Sequence, residues 1–592
     1  MLESSAVDYL HSPGYRANLT PSQTLALFKL WRRFLRLCEI SSHSTDSIAQ
    51  PHPRASTDSS RRTNQRRRHR ATASEPASSA STSHDNLDAN AGALDPSAIP
   101  KDDRLKEHLR HLEESKEMQA FLLQHGGAAL RREFWAIVKG EHPDAYMLRC
   151  LRARKWDVDR ALAIIGATCA FRVQYNVSAI MKHAELGLTS TRGGFNIMNN
   201  GLSYIYGATA AGEPVYFIEV GAHYSSNQTA DELKRGVILM QETLQMLMPP
   251  PVERKVVIFN LSNFGIRNMD WSVVLFMAKT MESFYPETLA RVYVHGAPWI
   301  FKPIWSILRP LLDPVVRDKV HLTWSVDELS DHVPAKHLPQ STIPGGKMDW
   351  AFEYPVPDEG ENDIQKDAQT AGEMETLYRD ACVEFEYATR ALARAYGDAA
   401  LADAKGAGIR PKFGRARGNA TPVDDEDWEP EGTASLRANR DILATKVRVA
   451  WLRLKPYVVG TLKYDRWRVT DAQGTIRWTY TTTEGEEEVQ VLGEGTSLDV
   501  LQRNLAELDA AQRVTKPLSQ PRLDAATKSN GASAKVAATE QTQSEEEPRA
   551  STAAHTAASQ PESEAFHEPI PVHPSQMAKL QPRDADVDAS AE

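Results

Sequence analysis

Four short apolar runs, rich in β-branched and aromatic residues, alternate with amphipathic stretches in the middle of this chain, and that alternation narrows the possible folds most. The runs are residues 214–220, 254–260, 291–295 and 319–324. The stretches between them, 231–247, 269–284 and 300–312, carry apolar residues at helical spacing. Runs of this kind bury both faces of a parallel sheet, and parallel neighbours need crossovers long enough to hold a helix. The pattern predicts an α/β fold over residues 200–350: a mostly parallel sheet with crossover helices. Residues 101–174 keep helical spacing with breaks, so a helical lobe over 101–180 should precede the sheet.

The N-terminal segment 1–40 contains one clear helix start. Thr20 suits an N-cap, Pro21 the first turn, and Gln23 completes a capping box. Leu25, Phe28, Leu30, Trp31, Phe34, Leu35 and Cys38 follow at helical spacing, giving an apolar face that needs a partner. Composition marks the rest of the organisation. Only 41% of the 592 residues are hydrophobic, and residues 41–100 and 515–592 are largely Ser, Ala, Thr, Glu, Arg and Pro. Such tracts cannot bury enough apolar surface to offset the entropy of ordering, so both are expected to be disordered. Linkers are expected at 358–373 and 401–434, and a helix at 374–400 that packs on the domain or on a partner. Residues 435–514 should form a helix and a hairpin, with 466–469 pairing with 475–480 across Asp471-Ala-Gln-Gly474.

A net charge of −9 argues against a surface built for nucleic acid. The arginine run Arg61, Arg62, Arg66, Arg67, Arg68 and Arg70 is read as an anionic-membrane or import signal, or as a solvated tract. Cys38, Cys150, Cys169 and Cys382 lack metal or redox spacing and fit a reducing compartment, where cysteines serve as small hydrophobes. The first residues show no signal-peptide pattern, and no apolar stretch reaches spanning length. The expected location is cytoplasmic, with peripheral attachment to the endoplasmic reticulum or another membrane.

One region carries a family resemblance. Tyr146-Met-Leu-Arg149-Cys-Leu-Arg152-Ala-Arg154-Lys155-Trp156-Asp157-Val158 resembles the helical motif Leu-Leu-Arg-Phe-Leu-Arg-Ala-Arg-Lys-Phe-Asp-Val of CRAL-TRIO proteins. Further matches follow in the family's order: Gly212-Glu-Pro214-Val215, Phe284-Tyr-Pro286-Glu287-Thr288-Leu289, Val294-His-Gly-Ala297-Pro298-Trp299-Ile300-Phe301, and Leu311-Leu-Asp313-Pro314 with Lys319. The resemblance covers residues 145–346.

The resemblance implies a single lipid held in a pocket and exchanged between membranes, with no catalytic residues, cofactor or metal. It also implies a gate helix over residues 299–312, formed by Trp299, Ile300, Phe301, Ile304, Trp305, Ile307, Leu308 and Leu311. Those residues are more apolar than one buried helix face requires, and Pro298 and Asp313-Pro314 bracket them. In relatives that bind phosphatidylinositol, the head group meets residues that match Arg154, Glu287 and Lys319 here. A cation pair with a carboxylate suits a phosphate with inositol hydroxyls. The chain departs from the pattern in places. Val316 stands where those relatives have Thr, Asn260-Leu-Ser-Asn263 replaces the usual Asp-Leu-x-Gly, and Gly345-Gly346 comes late. The implied ligand is a phospholipid, phosphatidylinositol foremost, with a sterol or another neutral lipid as the alternative. The membrane surface is the expected partner, nucleic acid is not, and protein partners are left open.

Two other classes compete with this reading. An enzyme on this fold would be signalled by a nucleophile elbow, a phosphate loop, a dinucleotide fingerprint or a zinc motif, and the sequence has none of them. A lipid-sensing adaptor would use the long polar arms to recruit partners while the central domain holds the ligand.

Overall fold

The computed structural model describes residues 12–40, 103–406, 430 and 432–515. Described residues up to Ala506 form one compact unit, and the rest of the chain a second, of which only the end of the last helix is described. The arginine run Arg61–Arg70, the segments 41–100 and 516–592, and most of the linker at 401–434 lie outside the described residues.

The first helix, α1 (Pro21–Leu37), begins with the capping box its sequence announces. Gln23 N donates to Thr20 Oγ1 at 3.3 Å and Thr20 N donates to Gln23 Oε1 at 3.0 Å. Its apolar stripe, Leu27, Leu30, Trp31, Phe34 and Leu35, is buried against the second helix, α2 (Asp103–Val138). α2 bends at Gly126, whose φ of 75° only glycine adopts freely. A Cβ on the next residue, Gly127, would lie 2.1 Å from Leu37 O, so the bend and the close crossing of α1 both need glycine.

Four more helices complete this lobe: α3 (Pro143–Ala153), α4 (Val158–Gln174), α5 (Val177–Thr189) and α6 (Arg192–Asn199). Helix thus continues past the expected end of the lobe at residue 180. Gly193 and Gly194 open α6 and mask its pattern, but Thr191 caps it by accepting from Gly194 N at 3.1 Å.

The sheet has five strands in sequence order: β1 (Ser203–Ala208), β2 (Pro214–Glu219), β3 (Lys255–Asn260), β4 (Leu289–His295) and β5 (Val320–Thr323). β2 to β5 are parallel, as their apolar runs predict; β1 is an antiparallel edge that the sequence reading did not identify. Side chains alternate between faces. Val215, Phe217, Val256, Ile258 and Tyr293 point to one side, where Leu329, Val333, Leu338 and Ile343 cover them. Tyr216, Val257, Val292 and Val294 point to the other, towards α7 (Ala230–Met246), α8 (Trp271–Lys279) and α9 (Phe301–Leu308). A π-helical turn, Thr280–Phe284, ends α8.

The C-terminal part packs on the helical lobe and on the sheet edge. α10 (Ala368–Gly406) and α11 (Thr433–Val458) lie together, with α10 also against α1. Arg440 of α11 makes two bonds of 2.5 Å to Asp144 of α3 and donates from Nε to Thr389 Oγ1 at 2.7 Å, while Trp31 Nε1 donates to Asp144 at 2.7 Å. The Arg440 guanidinium sits 4.3 Å from the centre of the Phe385 ring. At the sheet edge, Ile205 N donates to Tyr464 Oη at 2.8 Å and Ala208 N to Tyr480 Oη at 2.9 Å. Two tyrosines thereby occupy backbone donors that an edge strand would leave open.

The expected hairpin is corrected, and only its base forms: Arg477 N donates to Val469 O at 2.8 Å and Thr470 bridges Ile476. The strand over Ile476–Thr481 is real, but its partner is Glu487–Leu492, forming β6 and β7. Arg466–Val469 is not a strand, because Arg466 closes the helical turn Lys463–Arg466 and reaches into the lobe. There its guanidinium meets Glu185 and, at 3.0 Å, Glu361. The run Glu486-Glu487-Glu488 disguised β7; Glu487 stays exposed, while Glu488 lies on the face of buried Gln490 and pairs with Lys336 at 2.6 Å and His337 at 3.1 Å. α12 (Leu498–Thr515) ends the described chain. All four cysteines are buried thiols.

Removing one partner of a buried ion pair leaves a desolvated charge. Arg440→Met should therefore lower unfolding stability by about 3–5 kcal/mol in urea titrations of the full chain. Lys446→Met, at an exposed 3.9 Å pair with Glu384, should cost under about 0.5 kcal/mol. Equal effects would contradict the anchoring role of Arg440.

Candidate functional site

Between the α7–α9 side of the sheet and those helices lies an apolar cavity of about 320 Å³. Its floor is Tyr216, Ile218, Phe259, Leu261, Val292 and Val294; its walls include Leu233 and Val237 of α7 and Val273 and Met277 of α8. The roof is α9 with the turn after it: Phe301, Trp305, Leu308, Leu311 and Leu312. The helix itself spans eight residues, shorter than the 299–312 expected, because Pro310 ends it and a 3₁₀ turn carries Leu311.

The apolar excess of this segment is thereby accounted for. Phe301, Trp305, Leu308 and Leu311 line the cavity, while Ile300 and Ile304 pack partly buried beside it. Trp299 and Ile307 point outward, 82% and 41% exposed.

Polar groups gather where the strands begin. Arg154, Glu287 and Lys319 all reach the cavity wall there, joined by Arg110, Arg152, Lys155, Glu282 and Asp313. Each is held. Arg154 is buried and bound bidentately by Glu114 of α2, with Nε at 3.3 Å from one carboxylate oxygen. Lys319 Nζ donates to Leu289 O at 2.7 Å; burial pulls its pKa below the usual lysine value, against the pull of Glu287. Arg152 bonds Glu253 at 2.6 Å and Gly14 O at 3.0 Å, and its guanidinium lies 4.0 Å from the Tyr15 ring centre. Val316, at the expected threonine position, also lines the wall and offers only methyl groups.

Lys155, Trp156 and Glu287 have φ of 51°, 66° and 57°. Left-handed backbone at non-glycine residues costs free energy, and here it aims Lys155 and Glu287 at the same cavity end.

Arg110 was not legible in the sequence. It lies 203 residues from Asp313, yet Nη1 bonds Asp313 Oδ2 at 3.0 Å while its other nitrogen pairs with Glu282. Asp313 also accepts from Val315 N at 2.9 Å, capping the turn after the roof. Arg110 thus ties α2 of the helical lobe to both the end of the roof and the end of α8. The N-terminal contact of Gly14 and Tyr15 with Arg152 was equally out of reach, since no spacing links those residues.

Beneath this end, Lys255 at the start of β3 is fully buried, hydrogen-bonded to Gln241 and 5.8 Å from the Tyr285 ring centre. Burial, with the charge of Arg149 nearby, lowers its pKa to about 7.

No helix among the described residues is long and apolar enough to cross a membrane. Residues 198–342 match the family model of the CRAL/TRIO domain, and residues 101–165 that of the CRAL/TRIO N-terminal domain. The phosphatidylinositol transfer protein CSR1 of Eremothecium gossypii is 31% identical over 253 residues, 42% of this chain and 58% of that protein. The CRAL-TRIO domain-containing protein C3H8.02 of Schizosaccharomyces pombe is 32% identical over 241 residues, 40% of this chain and 54% of that protein. The SEC14 cytosolic factor of Candida glabrata is 25% identical over 223 residues, 35% of this chain and 71% of that protein. The chain spans little more than half the length of the first two relatives.

Lys255 gives this region a measurable pH signature. An unfolded lysine titrates near ~10.4. Between pH 7 and that value the unfolded chain holds a proton that the folded chain has released, so the lysine's contribution to stability rises with pH. Below pH 7 the buried ammonium carries its full penalty. Lys255→Met should be the more stable protein at pH 6, by on the order of 3 kcal/mol, with the advantage shrinking steadily towards pH 10. Urea titrations at pH 6, 8 and 9.5 read this directly; a difference that does not change with pH would contradict it.

Proposed function

Starting from a chain that contains a CRAL/TRIO domain and its N-terminal domain, we propose that it is a lipid carrier rather than an enzyme. It takes one phospholipid into the cavity, phosphatidylinositol foremost, and exchanges it at membrane surfaces on the cytoplasmic side. The observation that carries this reading is the cavity: apolar on floor, walls and roof, with all its arginines and lysines at the end where the strands begin and Glu219, His223 and Asp270 at the other. A two-chain lipid fits that polarity, with acyl chains along the sheet and head group at Arg154, Glu287 and Lys319. A relative at 31% identity bears the name phosphatidylinositol transfer protein, which supports the choice of ligand.

The energetics explain why a lid matters more than a reactive group. Each buried CH₂ group contributes ~0.8 kcal/mol, so the acyl carbons the cavity covers give a gross transfer term on the order of 10 kcal/mol. A bilayer offers the same term, so the net preference is small and exchange depends on opening a path. The roof segment is the movable part: the helix Phe301–Leu308, about two turns long, and the turn after it, fastened at its end by Arg110.

Val316 favours a second reading. Its methyl groups stand where a phosphate-binding hydroxyl is expected, so a sterol or another neutral lipid is the alternative cargo. The adaptor reading is compatible with either cargo.

Mass spectrometry of lipid extracted from the purified chain separates these readings. Phosphatidylinositol near one per protein, lost in Lys319→Ala and Glu287→Ala, is the expected result. A neutral lipid unaffected by either substitution would retain the carrier and discard the head-group site, and no bound lipid would remove the carrier reading. For the lid, Ile304→Asp and Leu308→Asp should reduce vesicle-to-vesicle exchange at least tenfold while the far-ultraviolet dichroism stays native. Unchanged exchange in both would sink the gate assignment.

A further inference from the structure

The loops that leave the carboxyl ends of β3, β4 and β5 each put one large apolar side chain into solvent. Ile266 is 73% exposed, Trp299 82% and Trp324 62%. These strands are adjacent, so the three loops start about 5 Å apart from one to the next. None of the three side chains lines the cavity, although Phe264 and Phe301, two residues away from Ile266 and Trp299, do.

The loops are fastened at their roots. Leu261 N donates to His295 O and Gly296 N to Thr323 O, both at 2.9 Å, linking the ends of the three strands. Asn268, itself buried, donates to Gly221 O at 3.1 Å and His223 O at 2.9 Å and accepts from Gly265 N at 2.8 Å, which holds the turn that displays Ile266. Trp324 Nε1 donates to Ala297 O at 3.3 Å, bracing the residues that precede the roof. At Gly296, with φ of 66°, a Cβ would meet Ser262 Oγ at 2.8 Å, so the chain turns there only because the residue is glycine.

We propose that Ile266, Trp299 and Trp324 form a fixed tip that inserts into the interfacial layer of a lipid bilayer, beside the hinge of the roof. The inference rests on the carrier reading, and adds that the anchor is the rigid strand edge rather than the moving lid. Tryptophan, with an apolar body and one N–H, favours the layer between head groups and acyl chains. The exposed area of the three side chains, on the order of 500 Å², falls short of the ~800 Å² per partner that a stable protein interface buries. Nearby charge is mixed, Arg267 and Lys302 against Asp327 and Glu328, all exposed. Insertion is therefore apolar and does not need anionic lipid.

The test is flotation of the full chain with phosphatidylcholine vesicles, for the wild type and for Ile266→Ala/Trp299→Ala/Trp324→Ala. The partition coefficient should drop at least tenfold in the triple variant and change less than twofold between 0.1 and 0.5 M salt. The variant's extracted lipid should match that of the wild type. Partitioning within twofold of the wild type, loss of wild-type binding at high salt, or no wild-type binding at all would each overturn the tip. So would a concentration-dependent increase in molecular mass that the triple substitution abolishes, which would assign the residues to a second copy of the chain. A wild type that binds vesicles but carries no lipid would remove the carrier reading and leave the tip standing.

Discussion

The buried pair of Arg440 and Asp144 fixes one end of α3, and much of the functional geometry follows from that helix. Asp144 sits in its first turn, bonded by Arg440 and Trp31 and surrounded by aromatic rings. The other end of the same helix delivers Arg152 and Arg154 to the cavity. A charge pair this deep gains little net free energy over an apolar substitute, but it tolerates only one arrangement of its partners. It sets the register of the C-terminal helices on the lobe and, through α3, the position of the arginines.

The cavity presents the opposite problem. Protein interiors close-pack, and an apolar void between a sheet and its crossover helices tends to collapse. Here the far face of the sheet is covered by residues 326–343, its edge is closed by Tyr464 and Tyr480, and α2 is tied by Arg110 to Glu282 and Asp313. The floor is thus braced from outside, and the segments with least support are the roof and the wall helix α8, none of whose residues is fully buried. Of α9, only Phe301 is fully buried. Weak packing of these two helices over a firmly packed sheet is a distribution in which they can move without loosening the rest.

The C-terminal region is therefore part of the same folded unit rather than an appendage. Arg440, Tyr464, Arg466 and Tyr480 each contact the lobe or the sheet edge. An account that treats the central domain alone leaves β1 with open donors and Asp144 with an uncompensated charge.

The sequence by itself determined the sheet, the crossover helices and the start of α1, because period-two and period-3.6 burial and a local capping box are written in neighbouring residues. It also placed Arg154, Glu287, Lys319 and the roof through a family resemblance carried by contiguous motifs. Only the tertiary structure decided what those residues touch. Arg154 is held by Glu114, Lys319 by Leu289 O, and Arg110 joins the group from a helix far away in the chain. It also decided which residues of the 299–312 segment face in, since Trp299 and Ile307 look the same as Phe301 and Leu308 in a composition and differ only in direction. The strand pairing of 487–492 and the edge strand β1 were hidden for the same reason. Their stability comes from partners distant in sequence, and no local pattern records a partner.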